Sequence, residues 1–399
     1  MTSPGATLRL TRLSLTGFRS YAALTWRPGA RIAAIFGPNG SGKTNLLEAV
    51  SLLVPGRGLR GARIGDLARQ EGARQGPAAS AAWAVAGRFA TAVGEAIDIG
   101  TGTPPDGPPD RRVFRLDGAA PRSQAEIGAR VAAVWLTPQM DRLFQEGASG
   151  RRRFLDRLVF ALEPAHAREI AAHEAAMASR NRLLSEPRPD PAWLAGLEDS
   201  IARHAVAATA ARAGLVARLN ATLASGIAGD FPIARMALLC PIAERLAGAP
   251  ALEVEDWLRA GLAAARARDA AAGSAALGAH RTDMALSDAA SGLPAALAST
   301  GQQKALLIGT VLGHAALIEQ ARGFAPLLLL DEPAVHLDPD RRAALFEALA
   351  RLPAQVLLTG TDAETFLPLA GLAEGLEAGS GILRPDPRFR PVPPVPGTL

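Results

Sequence analysis

The sequence predicts an α/β fold built on a mainly parallel sheet and interrupted by a long helical insertion. Three observations lead there. A short apolar strand, Ile32–Phe36, runs directly into Gly37-Pro38-Asn39-Gly40-Ser41-Gly42-Lys43-Thr44 and then into a helix-forming stretch. Far downstream, the continuous apolar run Leu327–Leu330 ends on Asp331-Glu332. Between these lies an alanine-rich block at helical spacing. Apolar strands that alternate with helices favour a parallel sheet covered on its faces.

The elements follow in order. Residues 8–17 place Leu8, Leu10, Leu13 and Leu15 in a strand with one irregularity. The Ile32–Phe36 strand, the glycine-rich loop and a helix over 44–53 follow. Residues 55–75 are rich in Gly and Arg and read as an exposed loop with a short helix. Residues 81–89 and 112–117 read as strands around an exposed Gly/Pro turn, and 131–136 as a buried strand. Helices are expected from about Phe154, over 165–186, 191–225 and 251–272, with a Pro/Gly interruption at 229–250. The middle block carries no catalytic pattern. After His280 the core resumes, with a helix over 305–312, the Leu327–Leu330 strand, a helix over 341–349 and a strand over 355–358. The last residues are proline-rich and read as a loosely ordered tail.

The chain has 399 residues, enough for one large core and a smaller module. Its hydrophobic share is 48% but only 5% is aromatic, so packing leans on Leu, Val and Ile. The net charge of +5 is compatible with nucleic acid without requiring it. A single cysteine, Cys240, excludes an internal disulfide and a thiolate metal site and suits a reducing cytosol. The opening residues do not read as a signal peptide. No stretch approaches the ~20 apolar residues of a membrane span. Only two of the 43 Lys and Arg residues are lysines, Lys43 and Lys304, and both sit in motifs that face phosphate.

The glycines of the loop let backbone N–H groups converge on phosphate oxygens, and the next helix aims its N-terminus at the same charge. Lys43 would reach the β- and γ-phosphates, and Thr44 would place its hydroxyl on Mg²⁺. Asp331 and Glu332 stand at a strand's C-terminal end, the edge where open α/β sheets carry ligands. Asp331 would hold the Mg²⁺ shell, and Glu332 would act as the base that orients the attacking water. Ser299-Thr300-Gly301-Gln302-Gln303-Lys304 opens an apolar helix and makes a second anion site. Two anion loops and one acidic pair suggest composite sites, with Ser299, Gly301 and Gln302 of one subunit completing the nucleotide site of another. Asp338 would cap the next helix or meet a partner subunit.

These motifs together resemble the SMC-like branch of the ATP-binding-cassette ATPases, and more closely the RecF family. The resemblance rests on the Walker A loop 37–44, the signature 299–303, Walker B 327–332 and the D-loop Asp338. It extends to Leu15-Thr16-Gly17-Phe18-Arg19-Ser20-Tyr21, to Asn45-Leu46-Leu47-Glu48-Ala49, and to Arg151-Arg152-Arg153-Phe154-Leu155-Asp156. His280-Arg281-Thr282-Asp283-Met284 and residues 355–361 complete it, so nearly the whole chain is covered. The resemblance implies a P-loop ATPase head with a short inserted α-helical arm. Residues 1–165 would be the head's first part, 166–272 the arm, 273–381 the second part and 382–399 the tail. It implies ATP and Mg²⁺ as cofactors and an ATP-dependent homodimer on duplex or gapped DNA. It also implies recombination mediator partners, no membrane, and a cytoplasmic, nucleoid-associated location.

Two departures stand out. Ala298 precedes the signature serine, and Thr300 stands where a glycine is common. The switch histidine of transporter ATPases is replaced by Thr359 and Thr361, which cannot be strong bases, so slow hydrolysis used as a timing switch is expected. By position, Gln139 is a candidate for the glutamine that reports on Mg²⁺ and the water, against the plain reading of a surface turn. Arg57, Arg60, Arg63 and Arg69 follow the phosphate-loop helix, and Arg151, Arg152 and Arg153 form a second cluster. Both clusters are candidates for backbone phosphates, against the plain reading of a solvated arginine face. The scattered histidines read as surface or core residues, and His280 and Arg281 as a link between arm and head or as structural. A transporter subunit, an SMC-like ATPase with a nuclease partner or a defence role, and a non-enzymatic scaffold are the competing readings. The missing switch histidine and the long insertion count against the first, and Lys43, Asp331 and Glu332 against the last.

Overall fold

The computed structural model describes residues 6–69, 82–91, 94–104, 107–108 and 110–390. The chain divides into two compact units, one of residues 1–141, 226–232 and 299–399, the other of 142–225 and 233–298.

Besides the two-stranded parallel pair Ala6–Thr7 and Phe324–Ala325, two larger sheets lie in the first unit among the described residues. One has six strands in the order Ile382–Pro385, Ala373–Gly379, Ile32–Phe36, Val356–Gly360, Leu327–Leu330, Ala133–Leu136. All neighbours are parallel except the outermost pair. Two inner strands, Ile32–Phe36 and Leu327–Leu330, are continuous apolar runs, as strands covered on both faces tend to be. Ile32–Phe36, Leu327–Leu330 and Val356–Gly360 are buried at every residue.

The second sheet is antiparallel, in the order Tyr21–Trp26, Arg9–Phe18, Ala84–Ala90, Ala96–Gly102, Val113–Leu116. Its Arg9–Phe18 strand carries the expected irregularity, between Leu10 and Arg12. Helix Lys43–Ser51 contacts strands of both sheets, which is why it is buried nearly all round. Helix Thr300–Arg322 is buried from Gln303 to Ile318.

The second unit is mostly helical. Helices His166–Leu184, Pro191–Ala224 and Ala251–Ala264 pack together over Met177, Ile201, Ala205, Leu258 and Leu262. Asp190 starts the longest of them by accepting from the Ala192 and Trp193 N–H groups, with Pro191 at the first position. Buried charge ties the helices together. Arg180 is held by Glu198 at 3.0 Å and Asp269 at 2.9 Å. Arg212 grips Asp156 through two bonds, at 2.8 and 2.9 Å, and His166 meets the same carboxylate at 2.9 Å.

The stretch 229–250, expected as an interruption, contains strand Ala234–Leu239 and helix Pro241–Leu246. That strand pairs antiparallel with Asp283–Asp288. Helix Ala148–Leu162 contacts both the Asp283–Asp288 strand and helix Pro191–Ala224. These contacts draw 142–165 and 273–298 into the second unit, beyond the expected 166–272. The tail also differs from expectation as far as residue 390. Ile382–Pro385 is a strand, and the Phe389 ring stacks on Phe36 at 5.8 Å. Residues 391–399, 70–81 and part of the 103–110 turn lie outside the described residues.

Candidate functional site

The Ile32–Phe36 strand delivers the phosphate loop to the carboxyl end of the parallel sheet. Gly37, Gly40 and Gly42 adopt φ of 145°, 82° and 103°. Glycine is required at two of them for space as well. A Cβ at Gly37 would lie 2.5 Å from the Ala378 carbonyl oxygen, and one at Gly42 would lie 2.6 Å from Ser20 Oγ. The Tyr21 hydroxyl donates to the Gly42 carbonyl at 3.1 Å, and burial pushes its phenol up to about 12. Pro38, Asn39 and Gly40 form the exposed tip. Ser41 Oγ is buried without a hydrogen-bond partner, and Gly42 gives the helix no side-chain cap. First-turn N–H groups and an orphaned hydroxyl suit an anion.

Lys43 is 4% exposed. Its amine donates to the Gly37 carbonyl at 2.7 Å and the Pro38 carbonyl at 3.0 Å. Burial lowers its pKa, partly offset by the carboxylates of Glu332, Asp331 and Asp362.

Asp331 is the meeting point of three elements. The Thr44 hydroxyl donates to its Oδ1 at 2.9 Å, and the Thr359 hydroxyl donates to the same oxygen at 2.8 Å. A hydroxyl that donates its proton keeps lone pairs for a cation, so Thr44 and Asp331 form a hard-oxygen set that fits Mg²⁺. Thr359 Oγ1 also accepts from the Glu332 N–H at 3.0 Å. Glu332 is half-buried at φ 49°, a left-handed conformation uncommon for a residue with a Cβ.

Gln139 is exposed in the turn Pro138–Arg142, which follows the Ala133–Leu136 strand beside Leu327–Leu330. The structure puts Ser299 and Gln302 in a capping box. Ser299 Oγ accepts from the Gln302 N–H at 3.3 Å, and the Ser299 N–H donates to Gln302 Oε1 at 3.0 Å. Gly301 lies where a Cβ would come 3.3 Å from Arg341 Nη1. Asp338 caps helix Pro339–Arg351 by accepting from the Arg341 N–H at 2.8 Å.

The arginine candidates separate. Arg57 and Arg63 are exposed and line a cavity of about 710 Å³ together with Arg112. Arg60 donates to Asn45 Oδ1 at 3.0 Å, and Asn45 donates to Ser20 Oγ at 3.0 Å. In the second unit, Arg151 is clamped on Asp283 by two bonds of 2.7 Å, and Arg152 donates to the Thr282 carbonyl at 3.1 Å. Only Arg153 of that run is exposed.

The partners of two groups around the site were not legible in the sequence. Glu48, 1% exposed, is held by Arg19 at 2.9 and 3.0 Å. Lys304, 2% exposed, donates to the Glu332 carbonyl at 3.1 Å and faces Asp141 at 3.7 Å. The rarity of lysine marked Lys304, but nothing in the sequence linked it to Glu332 or Asp141. Among the described residues there is no group of three or more His, Cys, Asp or Glu able to hold a metal, and no helix long and apolar enough to cross a membrane.

The RecF/RecN/SMC N terminal domain family matches residues 9–371. The chain is 44% identical over 385 residues to the DNA replication and repair protein RecF of Mesorhizobium japonicum, covering 95% of this chain and 98% of that one. It is 44% identical over 373 residues to the protein of the same name from Rhizobium meliloti, covering 93% and 97%. Among solved structures, the recombination mediator protein RecF-ATPrS of the RecFOR pathway superposes with a TM-score of 0.82 at 21% identity, over 96% of this chain and 99% of that one. The corresponding RecF-ATP structure gives 0.81 at 20%, over 97% and 100%. At that identity the two structures speak to the fold.

Proposed function

This chain belongs to the RecF family of DNA replication and repair proteins, within the RecF/RecN/SMC group, and we propose from that premise that it is an ATP-dependent DNA-binding protein of recombinational repair. In this reading it is a weak, DNA-dependent ATPase that works as an ATP-gated homodimer on duplex or gapped DNA. It helps mediator proteins load recombinase on single-stranded gaps, in the cytoplasm at the nucleoid.

The observation that carries the reading is the convergence of the Thr44 and Thr359 hydroxyls on Asp331 Oδ1, beside the phosphate loop. The loop backbone from Gly37 to Thr44, with Asn45 behind it, holds the phosphates. The Lys43 amine exchanges the Gly37 and Pro38 carbonyls for phosphate oxygens. Thr44 and Asp331 would hold Mg²⁺, which would neutralise phosphate charge when bound. Glu332 orients water and takes its proton. Thr359 fixes both acidic residues, and Gln139 senses the occupied site. Ser299, Gly301 and Gln302 of a second copy cover the γ-phosphate. ATP thus favours one of two states by contacts that ADP lacks, as a population shift requires. Arg57, Arg60, Arg63 and Arg153 offer charge to the DNA backbone. The helical unit serves as the arm.

Sedimentation of the Glu332→Gln protein with ATP and Mg²⁺, with and without gapped DNA, tests this. ATP-dependent dimers that retain DNA support the reading. Monomers throughout, or dimers indifferent to DNA, overturn it.

A further inference from the structure

Glu332 is held in a left-handed backbone conformation by a bond on each side of its residue. Thr359 Oγ1 accepts from its N–H at 3.0 Å, and the Lys304 amine donates to its carbonyl at 3.1 Å. A non-glycine residue at φ 49° is strained and persists only where its surroundings hold it. Lys304 lies in the first turns of helix Thr300–Arg322, whose start is the Ser299 capping box. Its side chain is 3% exposed and pairs with Asp141 at 3.7 Å. Asp141 belongs to the same turn as Gln139. One amine therefore joins the helix behind Ser299, the peptide of Glu332 and the turn of Gln139.

We propose that Lys304 is a positioning residue that couples the Ser299 helix to the aim of the Glu332 carboxylate, a role that rests on the ATPase reading above. A helix is stiff along its axis, so a displacement at Ser299 reaches Lys304 within two turns. From there it reaches the Glu332 carbonyl through one hydrogen bond. A second copy engaging Ser299 would thereby set Glu332 for hydrolysis, and the free protein would hold it back. Burying an ammonium costs more than burying a methionine of similar length. Packing alone gives no reason for an amine at this position.

The test uses full-length Lys304→Met, Lys304→Arg and Asp141→Asn, with wild type and Glu332→Gln alongside. Affinity for a fluorescent ATP analogue, ATP-dependent dimerisation and single-turnover hydrolysis with DNA are measured on each. Lys304→Met is expected to bind nucleotide within about twofold of wild type. Its hydrolysis is expected to fall by about tenfold or more, since one lost orienting bond of ~1.4 kcal/mol is a factor of ten. Lys304→Arg, which keeps a cationic donor, recovers much of the rate, and Asp141→Asn falls between. Undiminished hydrolysis in Lys304→Met overturns the proposal. So does a loss of binding in parallel with hydrolysis in a folded protein. If Lys304→Met does not fold, the decision passes to Asp141→Asn, whose wild-type rate would overturn it. Equal rates for wild type and Glu332→Gln would instead sink the ATPase reading itself.

Discussion

Thr359 Oγ1 stands 2.8 Å from Asp331 Oδ1 and gives its proton to it, while the same oxygen accepts from the Glu332 N–H at 3.0 Å. One fully buried hydroxyl thus orders both acidic residues. Thr359→Val keeps the shape and removes the hydroxyl, leaving the Glu332 N–H without that partner at a cost of ~1–3 kcal/mol. Hydrolysis should fall by about 10- to 100-fold, with a smaller change in nucleotide affinity, and Thr359→Ser should recover most of the rate. Single-turnover hydrolysis and a nucleotide titration on the three proteins check this. Equal loss of both quantities in Thr359→Val would count against it.

The phosphate loop makes different demands at two of its glycines. At Gly40, φ is 82° but nothing lies within 4 Å of where a Cβ would sit, so alanine meets only backbone strain. At Gly42, φ is 103° and the Cβ would strike Ser20 Oγ at 2.6 Å and the Tyr21 hydroxyl at 3.0 Å. Gly40→Ala should weaken ATP binding by about tenfold, the scale of ~1–2 kcal/mol for a left-handed residue. Gly42→Ala should abolish measurable binding. Isothermal titration of the two variants decides, and equal effects would contradict the geometry.

Two arginine clusters look equivalent in the sequence and are not equivalent in the structure. Arg57 and Arg63 are exposed, whereas Arg151 is spent on Asp283. Arg57→Ala and Arg63→Ala should each weaken DNA binding and reduce the slope of log K against log salt by about 1. Arg151→Ala should lower the melting temperature and leave that slope unchanged. DNA titrations at several salt concentrations, beside thermal melts, separate the two behaviours. A salt slope altered by Arg151→Ala would place that residue on DNA instead.

What could be read from the sequence follows the strength of the local signal. Ile32–Phe36 and Leu327–Leu330 are uninterrupted apolar runs, which only strands covered on both faces require, and the glycine loop and acidic pair sit at their ends. Tyr21–Trp26 and Ala96–Gly102 passed unseen because Ala, Gly and Thr dilute their alternation. Ala234–Leu239 was hidden among Pro and Gly, and its partner Asp283–Asp288 lies far along the chain, so no local pattern pairs them. The same holds for charge. Asp156 and Arg212 are 56 residues apart, and Lys304 and Asp141 are farther still, so only folding reveals which arginine is structural and which lysine faces Glu332.

Glu374 gives the head a pH dependence with a definite sign. It lies on strand Ala373–Gly379, paired with Ala33 of the strand that enters the phosphate loop. Its Oε2 accepts from the Gly29 N–H at 3.1 Å, while Oε1 is buried without a partner. Burial raises its pKa from 4.5 to about 7, against the lowering effect of the Gly29 and Ala30 N–H groups and of Arg9. Between those values the folded chain keeps a proton that the unfolded chain releases. The stability linked to Glu374 is therefore fully present below 4.5 and is lost as pH rises through about 7. At ~1.4 kcal/mol per pH unit the upper bound is about 3 kcal/mol, and partial exposure reduces it to about 1–2 kcal/mol. Glu374→Gln stays neutral at every pH and keeps an acceptor for Gly29. Its melting temperature should match wild type near pH 4.5, exceed it increasingly toward pH 7, and hold a constant lead above that. A lead that is independent of pH would mean that Glu374 does not titrate in this range.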